Sequence, residues 1–175
     1  MTYGLNSVSK LLVKEGNKDS CVPFLMLAVH KVYLDTHHHF HDAVLEGRHP
    51  FVKVYGTSPW EYVSSIAEAN RLFNQAMACH TNDVMASVVK MYDGLKSVRS
   101  VVDVAGGVGS ALSAILAQYS HIKGINFDLP HVFATAPAIT GERPHLSFQG
   151  RKKLLVLFYL WINSDGDWCG QIGTS

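Results

Sequence analysis

The chain has 175 residues, 47% of them hydrophobic and 17% charged, a balance that suits a globular protein with a sizeable core and excludes a disordered one. Its formal net charge of +1 with histidines neutral gives no electrostatic reason to expect nucleic acid or an anionic membrane as a partner. Cys21, Cys79 and Cys169 are widely spaced and odd in number, and residues 1–6 lack the basic start and apolar run of a signal peptide, so reduced thiols in a cytoplasmic protein are expected.

Residues 1–98 read as mainly helical, with a polar loop at residues 15–20 and a breaker at Ser58-Pro59. His37, His38 and His39, with His30 and His41 nearby, raise the question of a metal. His37 and His41 stand at i and i+4 of an expected surface helix, a spacing that can share one ion. No H-E-x-x-H arrangement accompanies them, so a solvated face without metal is expected. Phe73, Met77 and His80 fall at i, i+4 and i+7, one face of a helix. Spacing alone makes that face an amphipathic core stripe in which methionine fills gaps.

Residues 99–141 carry the strongest local signal. An apolar run, Val101 to Val104, ends in the small-residue turn Ala105-Gly106-Gly107-Val108-Gly109. Leu112, Ile115 and Leu116 then recur at helical spacing, and a second apolar run, Ile125 to Phe127, ends in Asp128. Strand, glycine turn, helix and acid-tipped strand together open a nucleotide-binding α/β sheet. Glycines admit positive φ and the close approach of a ligand, and the helix N-terminus offers free N–H groups to an anion. An acid about 20 residues past the turn can accept hydrogen bonds from both hydroxyls of a ribose. Leu112 stands where the dinucleotide fingerprint G-x-G-x-x-G requires its third glycine, which argues against NAD or FAD. Asp103, just before the turn, can meet an ammonium group. A ligand with an amino-acid end and a ribose end, such as S-adenosylmethionine, suits the layout, although spacing does not separate it from other adenosine compounds.

Residues 142–175 form a tail: Arg151-Lys152-Lys153, nine apolar residues from Leu154 to Ile162, then a Gly/Asp/Ser-rich end. The apolar run is too short to span a bilayer and reads as a buried third parallel strand near residues 154–161. Three strands leave an apolar edge, so marginal stability or dependence on a partner chain is expected.

Val101 to Gly109 (VVDVAGGVG) followed by Lys123 to Val132 (KGINFDLPHV) closely resembles the plant caffeate- and flavonoid-type O-methyltransferases. Upstream, Tyr3-Gly4-Leu5 resembles the end of that family's N-terminal winged-helix domain. Residues 42–47 (DAVLEG) and Pro50-Phe51 resemble its next helix and turn, and residues 71–80 (RLFNQAMACH) the helix that lines its phenolic pocket. The likeness spans residues 3–141 and stops after Gly141. It implies an α/β fold, with a helical N-terminal half followed by the first, incomplete part of a Rossmann-like methyltransferase sheet. It further implies three regions: 1–98 for dimerisation and the substrate pocket, 99–141 for S-adenosylmethionine, and a divergent tail at 142–175.

By the same resemblance Asp103, Ala105, Gly106, Gly107, Gly109, Asp128 and Leu129 contact the methyl donor, with Thr81 at a donor-proximal position, and Phe73, Met77 and His80 clamp a phenolic ring. Ala105 replaces the family's first glycine, at a conformational cost if φ is positive there. No catalytic residue is assigned. The family's general base is a histidine in a Trp-x-x-His-Asp-Trp segment, whereas no histidine follows His145, and Ser164 stands where it would be in Trp161-Ile162-Asn163-Ser164-Asp165. The family's adenine-holding Gly-Asp-Met/Leu segment and its later lysine are also absent. The leading reading is therefore a truncated or alternatively ended O-methyltransferase, binding a small phenolic substrate and turning over little alone, as a homo- or hetero-dimer with a related chain. Alternatives are a non-catalytic dimerisation partner of a full-length relative, a dinucleotide-dependent oxidoreductase, and a product of altered splicing.

Overall fold

The computed structural model describes residues 3–14, 20–136, 146–150 and 160–163. The chain divides into two compact units, residues 1–84 and 85–175. The division falls inside a long helix.

The first unit is helical. After a 3-10 turn, Ser9–Leu12, come α1 (Val22–Ala28), α2 (Lys31–His37), α3 (Phe40–Glu46), α4 (Pro50–Tyr55), α5 (Pro59–Ser65) and the first part of α6 (Ala67–Met91). Capping explains why α2 to α5 are short. The rings of His30 and His49 accept backbone N–H bonds at the starts of α2 and α4. Left-handed Gly47 and Gly56 close α3 and α4. At α5 the Ser58 hydroxyl accepts from the Glu61 N–H at 3.1 Å, and the Glu61 carboxylate accepts from the Ser58 N–H at 3.0 Å, a reciprocal capping box with Pro59 at the first helical position. The expected breaker is thus a helix start. So is Pro50-Phe51, read as a turn, which opens α4.

Phe51, only 2% exposed, anchors this unit's core between the rings of Tyr33, Tyr55 and Tyr62. Leu27, Val32, Val63, Ala76 and Cys79 complete it. The expected histidine helix is not continuous: α2 ends at His37, a turn occupies His38 and His39, and α3 begins at Phe40. His37 and His41 therefore stand on different helices. Instead, His39 and His41 each meet the Asp42 carboxylate at 2.8 Å, and Lys53 of α4 joins Asp42 at 2.9 Å and Glu46 at 2.7 Å. Among the described residues no group of three or more His, Cys, Asp or Glu side chains is placed to hold a metal.

The second unit begins with the end of α6 and a 3-10 turn, Asp93–Leu95, followed by β1 (Ser100–Val104), α7 (Ser110–Gln118), β2 (Lys123–Asp128), α8 (Pro130–Phe133), β3 (Leu146–Gly150) and β4 (Leu160–Asn163). The strands lie in the order β3-β2-β1-β4. β1 pairs in parallel with β2, and β2 in parallel with β3. Val89, Leu95, Val98, Val101, Leu112, Ile115, Leu116, Tyr119 and Ile122 form one apolar core. The architecture is α/β, a helical half followed by the opening strands of a Rossmann-like sheet.

Two strand expectations are corrected. The third parallel strand is β3, at Leu146–Gly150, not near 154–161. Residues 154–159 lie outside the described residues, and β4 runs antiparallel to β1, with Val102 opposite Trp161. Chain length accounts for the direction. β3 ends at the same end of the sheet as β1, and residues 151–159 are too few for the dozen or more that a parallel return requires. Residues 15–19 of the expected polar loop, residues 137–145 and Ser164 onward also lie outside the described residues.

Candidate functional site: a glycine turn held by Asn126 and Asp128

At the end of β1 the backbone leaves the sheet through three left-handed residues, Ala105 (φ +62°), Gly107 (φ +60°) and Gly109 (φ +82°), the last acting as N-cap of α7. Ala105 N–H donates to Phe127 C=O at 2.8 Å, which stitches the turn to β2. Gly109 N–H closes onto Gly106 C=O at 3.0 Å, and Ser113 N–H begins the helical ladder on Gly109 C=O at 2.9 Å. Space is tight at Gly106: a Cβ there would stand 2.1 Å from Asn126 Oδ1 and 2.6 Å from Asp103 Oδ2, so any side chain would force one of those two groups to move.

β2 supplies two side chains to this turn. Asp128, 7% exposed, accepts Gly107 N–H at 2.7 Å through Oδ2 and Leu129 N–H at 2.6 Å through Oδ1. A carboxylate has about four lone-pair sites, so each oxygen keeps one free for a hydroxyl donor. Asn126, fully buried, donates from Nδ2 to Gly107 C=O at 2.9 Å, while its Oδ1 has no partner. Sequence reasoning missed Asn126. Its signal was a polar residue between Gly124 and Asp128, positions that share the buried face of β2. Asp103, half-buried at the end of β1, has its carboxyl pushed up to about 6, first by burial and then by the neighbouring Asp128 carboxylate.

The structure therefore gathers Asp103, Ala105, Gly106, Gly107, Gly109, Asp128 and Leu129 around one turn. Phe73, Met77, His80 and Thr81 belong to the first unit, on α6. There the buried stripe is Asn70, Asn74, Ala76 and Cys79, and Phe73 and Met77 lie beside it, half-buried, with His80 exposed. They are not the core stripe that spacing alone suggests. Phe73 meets Trp60 edge to face at 5.9 Å, and His80 stacks on Phe24 at 5.4 Å. Trp161, Ile162 and Asn163 lie on β4.

An O-methyltransferase domain family matches residues 37–153. Caffeic acid 3-O-methyltransferase of Ammi majus is 41% identical over 166 residues, 93% of this chain and 45% of that protein. Myricetin 3-O-methyltransferase 3 of Solanum habrochaites is 41% identical over 176 residues, 98% of this chain and 48% of that protein. The chain thus spans about half the length of these relatives, and the likeness expected to stop after Gly141 continues beyond it. Among solved structures, LaPhzM superposes with a TM-score of 0.74 at 32% identity, over 85% of this chain and 45% of that one. Human N-acetylserotonin methyltransferase, solved in complex with SAM, shares the fold with a TM-score of 0.71 at 22% identity, over 83% and 43% of the two chains.

Proposed function

The chain belongs to the O-methyltransferase domain family, and from that premise we propose that it carries the donor site of an S-adenosylmethionine-dependent enzyme that methylates a phenolic hydroxyl of a phenylpropanoid or flavonoid. The observation that carries this reading is the buried Asp128 carboxylate, 2.7 Å from Gly107 N–H at the glycine turn. Its two free lone-pair sites suit a ribose diol, and Asp103 suits the ammonium of an amino acid. Gly106, Gly107 and Gly109 leave backbone bare of side chains beside both acids, with Ala105 and Leu129 flanking. The buried Asn126 oxygen, which has no hydrogen-bond partner, fits a cationic ligand that brings N–H donors. When bound, S-adenosylmethionine supplies an electrophilic methyl group on sulfonium.

Phe73 and Met77 offer apolar faces to a flat ring and His80 adds polarity, while Thr81 is carried as a donor-proximal residue by the family resemblance alone. None of these is assigned as general base, and residues 1–175 alone are expected to give little turnover. Among the described residues no helix is long and apolar enough to cross a membrane, and a cytoplasmic setting is proposed. The test is calorimetric titration with S-adenosylhomocysteine, in which saturable one-to-one binding that Asp128→Ala abolishes supports the reading. A substantial methylation rate on caffeate or a flavonol would overturn the expectation of low turnover.

A second reading, a non-catalytic partner of a related full-length chain, draws on α3. That helix buries no residue, and Phe40, Val44 and Leu45 are 53%, 85% and 81% exposed, a surface that suits association. Co-purification with such a relative supports it, and a strictly monomeric chain counts against it.

A further inference from the structure

We propose that the Asp103 carboxyl and the Asn126 side-chain oxygen share one proton in the ligand-free turn, and that a ligand's ammonium group takes that proton's place. The second half rests on the methyl-donor reading; the first does not.

β1 and β2 pair with Asp103 opposite Asn126, so both side chains stand on the same face of adjacent strands. Both reach over Gly106, where one added carbon would lie 2.1 Å from Asn126 Oδ1 and 2.6 Å from Asp103 Oδ2. The two oxygens thus converge on one point. The orientation of the Asn126 amide is dictated by its other end. Gly107 C=O can only accept, so the NH₂ must face it at 2.9 Å, and Oδ1 must face Asp103. Two acceptors then oppose each other with no donor between them, Oδ1 being buried and unpartnered. Such a pair is costly unless a proton or a cation intervenes.

A proton on Asp103 resolves the conflict. The carboxylic acid donates O–H to Asn126 Oδ1, which supplies the missing partner and removes a buried charge. Burial, and Asp128 behind it, already favour the protonated acid, with its midpoint pushed up to about 6. Asp128 is the one acid of β2 on this face. Neither β4 (LWIN), β3 (LSFQG), the turn nor α7 (SALSAILAQ) carries an ionisable side chain, and α8 carries His131. An ammonium group brings N–H donors and a positive charge, so it replaces both functions of the proton. Loading therefore releases that proton to solvent. Asn126 is a positioning residue in this scheme: its amide nitrogen fixes the turn, and its oxygen aims at the entering cation.

Two measurements on the full chain decide it. In the ligand-free protein, the Asp103 carboxyl ¹³C and Asn126 side-chain amide ¹⁵N resonances are followed from about pH 4.5 to about pH 8. They are expected to move with one common midpoint, and the Asn126 resonance of Asp103→Asn to stay fixed. An Asn126 resonance that ignores the Asp103 titration overturns the shared proton. Titration with S-adenosylhomocysteine in two buffers of different ionisation heat is expected to show proton release near pH 6, vanishing by about pH 8. Affinity should fall about tenfold per pH unit below the midpoint. Clear binding with equal heats in both buffers near pH 6 overturns the displacement and leaves the donor reading intact. Absence of binding overturns the donor reading and the displacement with it, while the resonances of the empty chain still decide the shared proton.

Discussion

Ala105 holds φ +62° in a conformation that costs an L-residue about 1–2 kcal/mol. The cost persists because both neighbours of the turn over-determine it: its N–H is bonded to Phe127 C=O at 2.8 Å, and Gly107 is clamped by Asp128 and Asn126. Ala105→Gly removes the strain and returns about 0.5–1 kcal/mol in unfolded-state entropy. A net gain of roughly 0.5–1 kcal/mol in denaturant unfolding is expected, and a loss would mean that the alanine methyl has a packing role. Leu112 illustrates the converse trade. The dinucleotide fingerprint thins the helix with a glycine so that it can approach the strand; here Leu112 is fully buried, and the strand is thinned instead. A Cβ at Gly124 would meet Leu116 Cδ1 at 2.9 Å and Leu112 Cγ at 3.0 Å. Gly124→Ala is expected to destabilise the second unit by about 1–3 kcal/mol through overpacking, read as a lowered unfolding midpoint with unchanged slope.

At the scale of elements, local chemistry was legible and direction was not. The glycine turn and Asp128 could be read because few residue types satisfy a positive-φ turn beside an acid-tipped strand. Ser58-Pro59 was legible as an interruption, but its meaning depends on Glu61, which reaches back to make the pair a helix start rather than a break. The test is Ser58→Ala, expected to cost about 1 kcal/mol and to raise amide exchange in α5 before its neighbours. The histidine run misled because periodicity does not register a turn: His38 and His39 separate α2 from α3, and His39 and His41 converge on Asp42 instead. β3 escaped notice because LSFQG is a short alternation, and an apolar run at residues 154–162 outweighed it. The direction of β4 is set by the length of the connection from β3 and by the free edge of β1, neither of which a hydrophobic run encodes. Asn126 was overlooked because a lone amide within a strand ordinarily faces water, and only the turn above it supplies a reason for its burial.

At the scale of the whole molecule, the two units should answer acid in opposite ways. In the second, Asp103 has a folded midpoint raised from 3.8 to about 6. A group raised in the folded state binds its proton more tightly there than in the unfolded chain, so stability is greatest below the unfolded value and falls as pH rises from about 4 through about 6. In the first unit, Asp42 is lowered from 3.8 to about 2, chiefly by hydrogen bonds from His39 and Lys53. Asp35 is lowered by Lys31 and Tyr55, and Glu61 by Ser58 and Thr57. Groups lowered in the folded state contribute stability that is present above the unfolded value and lost as pH falls through the folded one. Glu61 is exposed and Asp35 and Asp42 are only half-buried, so solvent screening keeps each contribution small, but all act in the same direction. Going from about pH 7.5 to about pH 5 should therefore slow amide exchange in β1, α7 and β2, corrected for intrinsic rates, and leave α4 and α5 unchanged. Going on below about pH 4 should loosen α3, α4 and α5 while the second unit keeps its gain. A single midpoint that moves in one direction for all amides would contradict this division. Asp103→Asn carries the same logic one step further, since it should abolish the gain in β1, α7 and β2 and leave the acid loosening of the first unit untouched.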